Sequence, residues 1–264
     1  HVFFADDGKL YGNPSSQFQS IQDSLVKISH WCRDWLIQLN IEKCEVLHLG
    51  KNNPHLAYVI NNKNLKEVES HNSHNDLGVI VNQNLSWSDH VCFITKRANR
   101  SSYLMFKVFR RLDFETYKVY IRPLLEYANV IWSPHLQRDI DTLERIQRRA
   151  TKRVAGLRSI PYATRLQMLD LPTLQHRRRR GDLIWTYKIL TNNESDELLN
   201  LFEFNTNIHL RGHRFKLKIQ NFKTSVRSHF LPNRVFTDWN ALSDEIVNAS
   251  NPNIFKNKLD AHFR

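Results

Sequence analysis

Apolar side chains recur along this chain in several rhythms, and each predicts a different element. His1-Val2-Phe3-Phe4-Ala5 is an apolar, β-prone run that meets Asp6-Asp7-Gly8 and resumes at Leu10 and Tyr11. This predicts two short strands around a tight acidic turn. Asn13-Pro14-Ser15-Ser16 breaks the pattern and opens a helix, with Ser16 and Gln19 spaced as a capping box. Phe18, Ile21, Leu25, Ile28, Cys32, Trp35 and Leu39 follow in steps of three and four, one apolar stripe of an amphipathic helix. Between Asn40 and Asn84 the period changes. Val46, Leu47 and Leu49, then Ala57 to Ile60, then Leu77 to Val81 predict short strands, with Asn61-Asn62 as a hairpin turn.

From Ser88 the chain reads as helical. Val91, Ile94, Ala98, Met105 and Leu112 mark one helix, and Ile140, Leu143, Ile146, Ala150 and Val154 a second that Gly156 ends. A third runs from about Pro172 to Leu190, interrupted at Gly181, and a shorter apolar pattern returns between Phe230 and Phe263. The expected class is α+β: a β-hairpin, a helix and short strands in 1–87, a helical basic region in 88–190, and a C-terminal region, 191–264, with no assigned role.

Charge changes the picture most. The 264 residues carry a formal net charge of +12, and 41% are hydrophobic, enough for a real core. A basic surplus of this size points to a polyanionic partner, although a merely basic surface gives the same number. It is concentrated. From Thr142 to Arg180 stand Arg145, Arg148, Arg149, Lys152, Arg153, Arg158, Arg165, Arg177, Arg178, Arg179 and Arg180, against only Glu144 and Asp170. Arg145, Arg148, Arg149 and Lys152 recur at three and four, so they share one helical face opposite Ile146, Ala150 and Val154. Such a row can follow a phosphate backbone without reading sequence. The run Arg177 to Arg180 repels itself and makes a helix costly unless an anion is bound. The alternative is a solvated face, or a cluster tied to carboxylates such as Glu126, Asp139 or Asp182.

Cys32, Cys44 and Cys92 are odd in number and far apart, which argues against a disulfide framework or a zinc module and fits a reducing compartment. No apolar run approaches the roughly 20 residues that cross a bilayer, and no signal-peptide pattern is present. The expected location is intracellular, nucleus or cytoplasm, not secreted and without a membrane partner. The first residue is His1, so the chain is expected to begin inside a longer one. His209, His213 and His229 lie in a basic tail away from cysteines, which favours surface or nucleic-acid contacts over zinc ligation.

Asp6 and Asp7 are the candidate chemistry. Consecutive side chains of a flat strand point to opposite faces, but at a hairpin bend both can approach one metal, with Gly8 easing the backbone. Two hard oxygen donors suit Mg²⁺. Read alone, Asp-Asp-Gly is equally an ordinary solvated turn.

It is not read alone. Phe4-Ala5-Asp6-Asp7 after an apolar strand resembles the aromatic-x-Asp-Asp hairpin of reverse transcriptases, in the form found in non-LTR retrotransposons. The helix carrying Trp31 and Trp35 leads to Leu39-Asn40-Ile41-Glu42-Lys43-Cys44, which resembles that family's Leu-Asn-x-x-Lys segment. Leu77-Gly78-Val79, with Leu85, Trp87 and His90, resembles its Leu-Gly-Val…Leu…His block. Tyr120 to Pro134 and Leu143 to Gly156 resemble two thumb blocks. Phe230, Asn233-Arg234-Val235, Trp239-Asn240 and Phe255-Lys256 resemble the tail of jockey- and CR1-like LINE elements.

The resemblance implies an RNA-directed DNA polymerase: an incomplete palm, a mostly helical thumb and a C-terminal region, acting on an RNA template, a DNA primer and dNTPs. It implies that Asp6 and Asp7 bind Mg²⁺, with Mn²⁺ as the alternative, and that Lys43 sits near the leaving pyrophosphate as a general acid; the other reading of Lys43 is a surface lysine. Leu77 and Gly78 match the primer grip, where Gly78 is equally placed for a β-bulge. The basic nucleic-acid contacts are Arg145, Arg148, Arg149, Lys152, Arg153 and Arg177 to Arg180. A further palm aspartate is required from outside this chain, so the fragment is expected to be inactive alone, with Phe3, Phe4 and one face of the first helix partly uncovered. A non-catalytic, nucleic-acid-binding remnant of a decayed element is the other reading.

Overall fold

The computed structural model describes residues 2–69, 72–108, 114–192, 196–205 and 212–263. The chain divides into two compact units between Asp89 and His90.

In the first unit, β1 (Val2–Phe4) and β2 (Asp7–Lys9) form an antiparallel hairpin with Phe4 opposite Asp7. The left-handed residue of its turn is Ala5, with φ of 51°, and not Gly8. Gly8 sits in β2, where a Cβ would lie 2.9 Å from the Phe3 ring, so its bareness serves that ring and not the bend. α1 (Pro14–Asp34) starts earlier than the Ser16–Gln19 box expected. Pro14 fits the first helical position, which needs no N–H. Asn13 therefore caps, accepting from Ser15 N–H at 3.0 Å, while its own N–H donates to Gln17 Oε1 at 2.7 Å.

α1 also ends sooner than the apolar stripe, which ran on to Leu39. Leu36 turns left-handed (φ 55°), Ile37 N–H closes on the Cys32 carbonyl at 2.7 Å and Leu36 N–H on the Arg33 carbonyl at 3.1 Å, a Schellman motif that ends the helix. Leu36 is left 93% exposed. The stripe itself packs inward: Phe18 meets Tyr58 with ring centroids 5.1 Å apart.

Beyond a 3₁₀ turn at Ile41–Lys43, the remaining strands are short and pair two by two. β3 (Glu45–Val46) lies parallel to β6 (Lys66–Glu67). β4 (Val59–Ile60) and β5 (Lys63–Asn64) form the hairpin expected at Asn61-Asn62, both residues with positive φ as a type I′ turn demands. β7 (Ser73–Asp76) and β8 (Val79–Asn82) form another. Leu77 and Gly78, expected inside a strand or at a bulge, are instead its turn, at φ 47° and 85°. Gly78 N–H donates to Asn75 Oδ1 at 3.0 Å. The class is α+β, and among the described residues the eight strands form four separate pairs.

The second unit is helical. α2 (Ser88–Val108) starts at the division; α3 (Phe114–Thr116), a π turn at Tyr117–Ile121 and α4 (Arg122–Glu126) follow. Pro123 has no N–H to give the helical ladder, and Arg122 N–H reaches five residues back to the Tyr117 carbonyl. Leu112, expected in the first of these helices, lies outside the described residues. α5 (Gln137–Lys152) stops four residues before Gly156, which occupies a left-handed position in the following loop. α6 (Tyr162–Met168) leads to α7 (Leu174–Asn192), which runs through Gly181 without interruption. A Cβ there would stand 3.7 Å from the Asn129 amide, an ordinary contact.

α8 (Asp196–Leu199), α9 (Ser225–Ser228), α10 (Leu231–Ala241), α11 (Asp244–Val247) and α12 (Pro252–His262) complete the unit. The tail does not stand apart: Leu183, Tyr187 and Leu190 of α7 share one apolar core with Val235 and Trp239 of α10 and Phe255 and Leu259 of α12.

Candidate nucleic-acid interface and acidic hairpin

α5 has two chemically opposite faces. Inward, Asp139, Glu144, Gln147 and Thr151 are buried beside Leu143, Ile146 and Ala150. Burying polar groups is tolerable only when they are bonded. Glu144 accepts from the Tyr162 hydroxyl and, at 3.0 Å, from Leu174 N–H at the start of α7. Gln147 accepts from Tyr117 O–H at 2.8 Å and donates to the Pro172 carbonyl at 3.0 Å. Burial pushes both tyrosine hydroxyls well above their ordinary range, so they stay protonated donors.

Outward, Arg145, Arg148, Arg149, Lys152 and Arg153 are all exposed. Three of them are held in place: Arg148 lies 4.8 Å over the Tyr162 ring, Arg153 3.5 Å over the Phe106 ring, and Arg149 donates to Asn99 Oδ1 at 3.5 Å. The last two contacts reach α2, whose exposed Lys96, Arg97 and Arg100 extend the basic character.

Arg165, counted with this surplus, is buried. It donates from Nε to Thr151 Oγ1 at 3.1 Å and from Nη2 to the Arg148 carbonyl at 3.2 Å, closing the end of α5. The α7 quartet is likewise committed within the fold. Arg177 forks onto Glu126, Arg179 onto Asp238 and Arg180 onto Asp260. Arg178 is 3% exposed, in the field of Glu144, Asp182 and Glu126. The anions that let Arg177, Arg179 and Arg180 share a helix are the protein's own carboxylates, whereas the buried Nη1 and Nη2 of Arg178 have no hydrogen-bond partner among the described residues. Asp182 itself pairs with Arg234, at 2.7 and 2.9 Å.

Asp6 and Asp7 are exposed at the tip of the first hairpin, Asp6 in the turn and Asp7 opening β2. Their donor chemistry, two hard carboxylates at a bend, fits Mg²⁺. The neighbouring β7–β8 hairpin is tied to this one by an ion pair between Lys9 and Asp76, so the structure brings the acidic turn's strand to the hairpin that carries Leu77 and Gly78. Lys43 is exposed on the 3₁₀ turn.

The histidines divide differently from expectation. His213 is buried and bonds through Nε2 to the Trp239 carbonyl at 3.0 Å, so it is a core group and not a surface contact. His229 stacks on His135 at 4.0 Å, and His209 lies outside the described residues. Sequence reasoning missed a set that the fold assembles: among the described residues, the three metal-type ligands within 4.8 Å of one another are His48, His55 and Glu67. Cys32, Cys44 and Cys92 are free thiols. Among the described residues, no helix is long and apolar enough to cross a membrane.

The chain is similar to an uncharacterized protein of Caenorhabditis elegans, 28% identical over 114 residues that cover 40% of this chain and 58% of that one. The match thus spans less than two thirds of the relative. No protein-family profile and no solved structure matches the chain.

Proposed function

We propose that this chain holds the backbone of a nucleic-acid duplex along α5, as the thumb of a non-LTR retrotransposon reverse transcriptase. The observation that carries the reading is the solvent-facing row Arg145, Arg148, Arg149, Lys152 and Arg153, five cations on a face where the one exposed acid is Asp141, a turn before Arg145 and bonded to Gln137. The row has no amide-bearing side chain poised to read base edges, so recognition is of backbone and shape. In the full-length enzyme the duplex is an RNA template with a DNA primer, extended by dNTP addition to the primer 3′-hydroxyl.

On this reading Asp6 and Asp7 hold Mg²⁺, Lys43 protonates the leaving pyrophosphate, and Leu77-Gly78 steadies the primer end. An ion held at Asp6 and Asp7 supplies Lewis-acid activation of the hydroxyl and neutralises charge on the pyrophosphate. The Lys9–Asp76 pair supports placing the acidic hairpin and the primer-grip hairpin in one working region. A second reading, binding without catalysis, is favoured by the acidic pair itself: among the described residues no third metal-type ligand stands within reach of Asp6 or Asp7.

Anisotropy of a labelled primer–template between low and moderate salt tests the binding. Five phosphate contacts give a log–log slope of about −4.5. Replacing Arg148, Arg149 and Arg153 by alanine flattens it by roughly one per residue and weakens all duplex sequences alike. A salt-independent affinity would exclude the α5 row. The catalytic part is tested in the full-length protein, where Asp6→Asn with Asp7→Asn abolishes primer extension and leaves duplex affinity unchanged. Extension by that double variant would remove Asp6 and Asp7 from the metal site.

A further inference from the structure

The loop between β3 and β4 is folded back on itself by short-range bonds. Asn53 Nδ2 donates to the Leu49 carbonyl at 3.2 Å, and Asn53 Oδ1 accepts from His55 N–H at 3.1 Å. His55 sits in the left-handed region at φ 51°, a position a non-glycine residue adopts only when its surroundings hold it there. The result aims His55 Nδ1 at Glu67 Oε1, 2.5 Å away. The parallel pairing of β3 with β6 sets Val46 opposite Glu67, so His48, two residues past Val46, arrives on the same spot. Its Nε2 is 3.8 Å from the same Glu67 oxygen, and the two imidazoles lie 4.6 Å apart. His48 is 6% exposed, whereas His55 and Glu67 are open to solvent.

We propose that His48, His55 and Glu67 form a binding site for a divalent transition ion of the zinc class. Two imidazoles and one carboxylate make a donor set that suits Zn²⁺ or its neighbours and not Mg²⁺. Around a tetrahedral ion with bonds of about 2.1 Å, ligand atoms stand roughly 3.4 Å apart. His48 to Glu67 is already near that separation, and His55 to Glu67 must open by under about 1 Å on the exposed side.

Three protein ligands leave a fourth position for water, as in open zinc sites. The supporting shell is present as well. The Gln83 amide stands 3.3 Å from His55 Nε2. With Nδ1 on the ion, His55 carries its proton on Nε2, and the Gln83 amide, turned to present its oxygen, accepts it. The ion would pin the Gly50–His55 loop onto β6. The site shares no residue with the α5 row or with Asp6 and Asp7, so it stands or falls independently of the polymerase reading.

The test uses the full chain, stripped with a chelator. Zn²⁺ is titrated against a chromophoric competitor, and Co²⁺ is added separately to read the visible d–d band of a low-coordinate site. One tight equivalent is expected. Gln83→Ala weakens it by about 10- to 100-fold, and His55→Ala and Glu67→Gln by at least as much. His55 and Glu67 are exposed enough for both variants to keep the fold, checked by circular dichroism, and His48 is left untouched because it is buried. Failure to bind Zn²⁺ overturns the site. Binding that is equal in the wild type, His55→Ala and Glu67→Gln assigns the ion to other histidines and overturns it equally.

Discussion

The side-chain amide of Asn240 accepts from Leu217 N–H and donates to the Leu217 carbonyl, both at 2.9 Å, completing by itself a pair of bonds that a neighbouring strand normally supplies. Leu217 is buried, so truncating the amide leaves both backbone groups dry and unpaired. Asn240→Ala should therefore lower unfolding free energy by about 3 kcal/mol, read as a shift of the urea midpoint at constant slope. A change under about 0.5 kcal/mol would show that water replaces the amide. His90 makes a pH prediction. It is fully buried with its ring edge-on to Trp132 at 4.6 Å, and burial lowers its pKa from the ordinary 6.5 to about 4. The folded chain keeps it neutral where the unfolded chain protonates it. Its share of stability is thus complete above about pH 6.5 and declines by roughly 1.4 kcal/mol per unit as the pH falls toward about 4, then levels off. Urea midpoints from pH 7 to 4 should follow that curve, and His90→Gln should flatten it. An identical acid slope in that variant would place the titration elsewhere.

Between elements, α5 and α7 carry similar charge and different duties. The α7 arginines end on Glu126, Asp238 and Asp260, which lie 51, 59 and 80 residues away in sequence. The α5 cations end on aromatic rings, on the Asn99 amide or in water. Arg177→Gln should cost about 1–2 kcal/mol of stability, since Arg122, 3.7 Å from Glu126, takes over part of the pairing, and it should leave duplex affinity intact. Arg149→Ala and Lys152→Ala should do the reverse, with stability changed by under about 0.5 kcal/mol and binding weakened. If the α7 change weakened binding as much as the α5 changes, the division of labour would be wrong. The same contrast separates what sequence can tell from what it cannot. The stripe from Phe18 to Cys32, the Asn61-Asn62 turn and the outward face of α5 are local patterns, fixed by residues within two or three turns of one another. The end of α1 escaped because Leu39 continues the apolar rhythm after Leu36 has already turned left-handed. A tie of Arg177 to Arg180 to internal carboxylates was legible as an alternative, with Glu126 among its partners, but Asp238 and Asp260 escaped because charge is visible in sequence and pairing across 59 and 80 residues is not. His48, His55 and Glu67 meet through strand pairing and a left-handed loop residue, and their spacing resembles no familiar ligand motif.

At the scale of the whole chain, burial is unevenly shared. Among the described residues before His90, the buried apolar side chains are Cys32, Tyr58, Ile60, Val68 and Val79, while Phe3, Phe4, Trp31, Trp35 and Leu36 face solvent. After His90, α7, α10 and α12 enclose a continuous core around Trp239 and Phe255. Isolated two-stranded pairs are weakly stable without a broad apolar face to cover them, and the first unit holds four such pairs, of which β4–β5 is bonded to α1 through Gln22 and Ser29. Opening of that unit should therefore precede global unfolding. Hydrogen exchange read by mass spectrometry should find the amides of β1 to β8 protected at least about a hundredfold less than those of α7 and α10, a gap of roughly 3 kcal/mol in opening free energy. The exposed aromatic surface should also take up an apolar dye, a signal that disappears when a partner segment covers Phe3, Phe4 and the Trp31–Trp35 pair. Uniform protection across both units, without dye binding, would mean that the first unit is as firmly held as the second and that its open apolar face is no place for another piece of chain.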